Sequence, residues 1–166
     1  MNSSVYAENS YIIQYYQKIQ SGEIIAGQEL ILQLKKLVAE VSDPILQGVK
    51  KIRFEPEEAE KRIRFIETKC KHYEAPHAGK PFLLELFQKA FIEAIFAIKQ
   101  YSEELDRYIR KYQEILFLVG RKNGKTPLIG AICLAEWFCG PVGLKILCAS
   151  NDYDQADLMF SAINSM

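Results

Sequence analysis

The sequence carries no surplus of charge. Its 21 Lys+Arg balance 21 Asp+Glu over 166 residues, so no bulk field draws the chain to nucleic acid or to an anionic membrane, and any such contact requires a local basic patch. Soft metal ligands are scarce. The four cysteines, Cys70, Cys133, Cys139 and Cys148, show no regular spacing, and Cys70, His72 and His77 are the only such ligands close together. Zinc asks for a second pair that this group lacks. Long apolar runs are missing as well: the most apolar stretch, Pro81–Ile98, is broken by Glu85, Gln88, Lys89 and Glu93, which excludes a helix surrounded by lipid and predicts a buried one. The opening, Met1–Ser10, is polar with no apolar segment behind basic residues. Together with the unspaced cysteines this predicts the reducing cytoplasm.

What is present suits a globular protein. An apolar content of 49% with 25% charged residues allows one domain, or one domain with part of another, and argues against disorder and against a disulfide scaffold.

The first hundred residues follow a helical period. Ile12, Tyr15, Tyr16 and Ile19 share a face that Ser21-Gly22 ends, and Leu30, Leu34, Leu37, Val38 and Val41 recur at threes and fours until Asp43-Pro44, so two amphipathic helices are predicted. Val49–Phe54 reads as a short extended run. Glu55-Pro56-Glu57-Glu58 reads as a helix start, with Pro at the first position and acids at the positive end of the dipole. That helix continues through Ala59, Ile63, Ile66 and Cys70, a loop follows over His72–Gly79, and Phe82–Lys99 reads as a helix buried nearly all round.

At Glu114 the pattern changes. Ile115–Val119 is an unbroken apolar run of the kind expected of a strand buried on both faces. A loop, a helix over Lys125–Phe138, a break at Cys139–Gly143, a second apolar run at Leu144–Ala149 and a helix from about Tyr153 complete a βαβ unit. The fold class predicted is α/β: a helical N-terminal region over 1–110, then the opening, over 111–166, of a parallel nucleotide-binding sheet. Because two strands do not complete such a sheet, the sequence is expected to stop inside a domain, and the uncovered apolar run is expected to drive self-association.

The strongest chemical signal lies between the run and the helix: Gly120-Arg121-Lys122-Asn123-Gly124-Lys125-Thr126. It matches G-x-x-x-x-G-K-[ST] except that Val119 stands at the first glycine. Gly124 admits a phosphate close to the backbone, and the amides of Asn123 to Thr126 are placed to face phosphate oxygens. Lys125 supplies a compact charge for the β and γ phosphates of ATP, and the Thr126 hydroxyl a ligand for Mg²⁺. Pro127 falls in the first helical turn, where its missing N–H costs little.

With an apolar run before it, Arg121–Thr126 resembles the variant Walker A loop of the large subunit of bacteriophage terminase, the ATP-driven DNA-packaging motor. The resemblance extends to Tyr15 and the Ser21-Gly22-Glu23-Ile24 turn, Phe65-Ile66-Glu67 to Cys70-Lys71-His72, Gly79-Lys80-Pro81-Phe82, Phe87-Gln88, and Ala149-Ser150-Asn151 with Asp154-Gln155-Ala156. It implies that Gln88 reads the adenine edge, that Arg121 senses or stabilises the γ-phosphate, and that Lys125 and Thr126 hold the phosphates and Mg²⁺. It also implies double-stranded DNA, the small terminase subunit and a portal as partners of the complete motor, assembly with other copies, no membrane, and the host bacterial cytoplasm as location.

Two parts of that family's pattern are not in the sequence: a strand ending in an acidic pair with a catalytic glutamate, and a nuclease-like acidic cluster. Asp152, Asp154 and Asp157 read instead as a helix start, so hydrolysis by these residues alone is expected to be negligible. Arg107, Arg110 and Lys111 are candidate DNA contacts or a solvated face, and Glu103, Glu104 and Asp106 an exposed turn. Another P-loop ATPase, helicase-like, and a non-catalytic helical docking fragment are the alternative readings.

Overall fold

The structure is a computed structural model describing residues 9–166. It divides into two units, one formed by the described residues up to Glu60 with Glu85–Ile115, the other by Lys61–Leu84 with Leu116–Met166.

In the first unit, helix α1 is Tyr11–Gln20, α2 is Gln28–Ser42 and α3 is Pro44–Val49. Ser21 closes α1 and Gly22 follows it with φ 78°, a left-handed turn that glycine adopts without strain. Asp43 separates α2 from α3 and caps the latter, its Oδ1 accepting from Ile45 N at 2.9 Å and Leu46 N at 3.1 Å. Strand β1, Ile52–Phe54, pairs antiparallel with β2, Ile98–Ser102, which pairs antiparallel with β3, Arg107–Arg110. Helix α5, Leu86–Phe96, leads into β2. One core joins these elements: Ile12 and Ile19 from α1, Leu34, Leu37 and Val41 from α2, Ala90 from α5, and Ile52 and Ile98 from the sheet.

Two carboxylates lie inside this unit. Glu93 of α5 accepts from Ser10 Oγ at 2.7 Å and from Ile12 N at 2.8 Å, and so serves the N-terminal amides of α1. Burial pushes its carboxyl above the usual carboxylate range, against the opposing pull of those hydrogen bonds. Glu40 of α2, fully buried, pairs with Lys111 and accepts from Tyr112 Oη at 2.7 Å. Burial, then Glu40, raises the Tyr112 phenol.

Helix α4, Pro56–Lys69, starts in the first unit and continues into the second. There, Ile63, Ile66, Cys70, Phe82 and Leu84 are buried, as are Leu128, Ala131 and Ala135 of α6, Lys125–Cys139, and Ala162 of α7, Tyr153–Ser165. Gly130 lets α7 approach α6: a Cβ there would stand 3.5 Å from Met166 Sδ and 3.6 Å from Ile163 Cγ1. The Arg62 guanidinium bonds Glu136 Oε2 at 2.7 Å, with 5% and 13% of the two side chains exposed, and the Phe65 and Phe138 rings stack at 5.3 Å.

Most of the expected helices are present. The helix expected over Phe82–Lys99 is shorter at both ends, because the Glu85 N–H donates to Gln88 Oε1 at 2.9 Å and fixes the start, while Ile98 already pairs with Phe54. The run Val49–Phe54 is extended in its last part, as β1.

The expected parallel βαβ sheet is not what the structure contains. Among the described residues the sheet is three-stranded and antiparallel. Neither Ile115–Val119 nor Leu144–Ala149 is a strand, and Leu116, Leu118 and Leu147 are 82%, 81% and 91% exposed. A strand with two apolar faces is stable only between neighbours and under covering helices. Two short runs do not provide that, so the side chains expected to be buried face outward. Cys148, within the second of these runs, is likewise exposed.

Candidate nucleotide-binding loop

The loop Gly120–Thr126 enters α6 through Gly124, the helix N-cap, at φ 68° and ψ 24°. That left-handed geometry costs an L-residue about 1–2 kcal/mol, and glycine adopts it freely. No side chain caps the helix. Leu128 N makes the first intrahelical bond, to Gly124 O at 3.0 Å, and Pro127 has no N–H, so the amides of Lys125 and Thr126 are the orphan donors of the first turn. They stand at the positive end of a 15-residue helix.

The rest of the loop is held by Asn123, whose Nδ2 donates to Gly120 O at 3.2 Å and to Arg121 O at 3.4 Å. A Cβ at Gly120 would lie 3.1 Å from that nitrogen, so glycine preserves the tie. Lys122 adopts φ 67°, a positive value that the sequence reading missed and that no residue type signalled. Space around Gly124 is open, with nothing within 4 Å of a Cβ built there. Arg121, Lys122 and Lys125 are exposed and Thr126 is half-buried. A short turn thus combines three cations, a hydroxyl and the two first-turn amides of an uncapped helix, donors of the kind a polyphosphate takes.

Residues 87–166 match the family model of the terminase large subunit, ATPase domain. Over this segment, just under half of its length, the chain is similar to that ATPase domain. No curated protein and no solved structure matches the chain.

The matched segment opens one residue before Gln88 and contains β2, β3, the loop, α6 and α7. Likeness to an ATPase domain implies nucleotide binding, and the loop offers backbone and cationic donors of the kind such binding uses. Gln88 is buried in the first turn of α5, in the first unit, whereas the loop belongs to the second. Its Oε1 already accepts from Glu85 N–H, so its amide donors and the second lone pair are what it can offer a ligand.

Other expected groups have their own places. Asp152 is the N-cap of α7, accepting from Asp154 N at 3.3 Å, and Asp157 Oδ2 accepts from Ser161 Oγ at 3.3 Å, in keeping with a helix start. Glu103, Glu104 and Asp106 form the exposed turn of the β2–β3 hairpin. Lys111 is committed to buried Glu40, Arg107 lies opposite Ser102 and Arg110 opposite Lys99.

Of Cys70, His72 and His77, the first is buried and the second packs on an aromatic ring, while His77 is exposed. Burial raises the Cys70 thiol to about 11, and the His72 ring stacks on Phe82 at 4.5 Å, where burial, then His77 and Lys80, lower its pKa. No helix of the described residues is long and apolar enough to cross a membrane.

Proposed function

We propose that this chain carries the ATP-binding loop of a terminase large subunit, within the motor that packages double-stranded DNA into procapsids in the cytoplasm of the infected bacterium. The observation that supports this most is the left-handed Gly124 at the head of uncapped α6, inside the segment that matches the terminase ATPase family.

On this reading the amides of Lys125 and Thr126, with Asn123 and Gly124, hold the phosphate chain, and the Lys125 ammonium neutralises the β and γ phosphates. The residues fit Mg²⁺ as far as one hydroxyl can: Thr126 is half-buried beside the exposed lysine, the placement of a single protein ligand to an ion that otherwise keeps water and phosphate oxygens. Arg121 faces charge that develops on the γ-phosphate, Gly120 and Lys122 shape the turn, and Gln88 reads the adenine edge. The metal ion supplies charge neutralisation across the phosphates when bound. The small terminase subunit, a portal and further copies of the large subunit are the partners this function requires.

Equilibrium titration with a fluorescent ATP analogue, with and without Mg²⁺, tests the assignment. Binding that weakens about tenfold or more on removing Mg²⁺, and that loses its Mg²⁺ dependence in Thr126→Ala, is expected, one lost ligand contact being worth at least about 1.4 kcal/mol. Mg²⁺-dependent binding that Thr126→Ala leaves unchanged would remove the hydroxyl from the site.

A further inference from the structure

Two residues of the turn before α6 hold left-handed backbone, Lys122 at φ 67° and Gly124 at φ 68°. Glycine takes that form freely, whereas for lysine it is uphill, so Lys122 stays there only under restraint. The Asn123 side chain is placed to supply it. Its Nδ2 reaches back across Lys122 and donates to Gly120 O at 3.2 Å and, in a longer and weaker contact, to Arg121 O at 3.4 Å.

The same bridge governs which way the backbone dipoles face. An anion is drawn to N–H groups and repelled by carbonyl oxygens, so a loop that takes a phosphate must keep its carbonyls turned elsewhere. Among the described residues no backbone N–H engages Gly120 O or Arg121 O. It is the Asn123 amide that engages both. Gly120 makes room for this contact. Its φ is not in the left-handed range, so it does not use the freedom peculiar to glycine; what it lacks is the β-carbon that would stand 3.1 Å from Asn123 Nδ2.

We propose that the Asn123 side chain is a positioning residue for polyphosphate binding. By bridging to Gly120 O and Arg121 O it holds the loop, before any ligand arrives, in the form whose amides and cations receive the phosphates. The proposal rests on the nucleotide reading of the loop given above and adds the residue that sets its shape. Asn123 acts through its own loop and its side chain does not touch the ligand. A loop released from the bridge is competent for only a fraction of the time, and affinity falls by that fraction. One exposed bridge of this kind is worth about three- to tenfold in such an equilibrium.

The test compares the 166-residue chain with Asn123→Ala, Gly120→Ala and the double variant, using the fluorescent ATP analogue with Mg²⁺ and inorganic tripolyphosphate as its competitor. Asn123→Ala should weaken both ligands by the same factor, about three- to tenfold, because the shape of the loop is read by phosphates alone. Stopped-flow mixing should place the loss in the association rate, with dissociation nearly unchanged, since the ligand holds the loop once bound. Gly120→Ala crowds the same amide, whose bonds at 3.2 and 3.4 Å have little room to lengthen, and should weaken binding as well. The double variant should bind no more weakly than Asn123→Ala, because both changes act on one bridge. Melting should match wild type throughout, since Asn123 is exposed and its bonds lie within the loop.

An Asn123→Ala protein that binds as tightly as wild type would overturn the proposal. So would a loss that lies in the dissociation rate, or losses that add in the double variant, either of which makes the amide a direct contact of the ligand. A clear drop in melting temperature would assign Asn123 to the fold instead. Wild-type protein that binds neither ATP nor tripolyphosphate would sink the nucleotide reading and this proposal with it, whereas binding that Asn123→Ala leaves intact sinks this one alone.

Discussion

Removing the Glu93 carboxylate should loosen α1 from α5 by a calculable amount. In Glu93→Ala the Ser10 hydroxyl and the Ile12 amide lose their acceptor, at 2.7 and 2.8 Å, inside the first unit. Each unsatisfied buried donor costs about 1–3 kcal/mol. Relief of the buried charge offsets part of this, leaving about 2–3 kcal/mol. For a protein of this size that is roughly 5–10 °C in Tm. Glu93→Gln keeps an acceptor and should cost under about 1 kcal/mol. Ser10→Ala alone should cost about 1 kcal/mol as a lost cap, and combining it with Glu93→Ala should fall short of additivity by at least about 0.5 kcal/mol.

The pH dependence has a definite sign. Glu93 has a folded pKa raised by burial, so the folded state binds the proton more tightly than the unfolded one, and stability falls as pH rises from the unfolded carboxylate value through the raised folded value. Wild type should therefore lose stability relative to Glu93→Gln across that window and run parallel to it above. Thermal and urea melts followed by circular dichroism measure all of this. A Glu93→Ala protein that melts within a degree of wild type, with no coupling to Ser10, would refute the reasoning.

Three further outcomes are expected. Arg62→Ala removes the guanidinium paired with the nearly buried Glu136 carboxylate and should cost about 3 kcal/mol in urea melts, whereas Arg62→Met with Glu136→Leu should be close to neutral. The lowered His72 pKa means that the unfolded state takes up the proton first, so stability should drop as pH falls below about 6.5, and His72→Phe should flatten that part of the pH–stability curve. Thiol labelling with iodoacetamide near pH 8 should modify exposed Cys148 first and leave buried Cys70, raised to about 11, unmodified until the chain is denatured; prompt labelling at Cys70 would contradict its place in the core.

The helices were legible because their signals are local. The stop at Ser21-Gly22, the Asp43-Pro44 cap and Pro56 at a first helical position each act within one turn of chain. The turn Gly120–Gly124 was legible for the same reason, down to the glycine that enters α6. What escaped depended on partners distant in sequence. Ile98 continues the apolar run of α5, and only pairing with Ile52–Phe54 makes it the start of a strand. With that strand unread, the register that sets Arg53 opposite Lys99 and Lys99 opposite Arg110 was invisible too. Glu40 and Glu93 looked like ordinary helical acids, and their burial is decided by Lys111 and by the start of α1. The opposite error occurred at Ile115–Val119, where an apolar run signals burial but does not supply the neighbours that would bury it.

The central claim is that Gly120–Thr126 binds Mg·ATP, and isothermal titration calorimetry of the chain with its Lys125→Ala variant tests it most directly. A saturable exothermic titration in wild type, weakened by at least about 1.5–3 kcal/mol, or more than tenfold, when the charged donor is removed, is the result predicted. Wild-type protein that gives no heat with Mg·ATP, or a Lys125→Ala protein that binds as tightly, would contradict it.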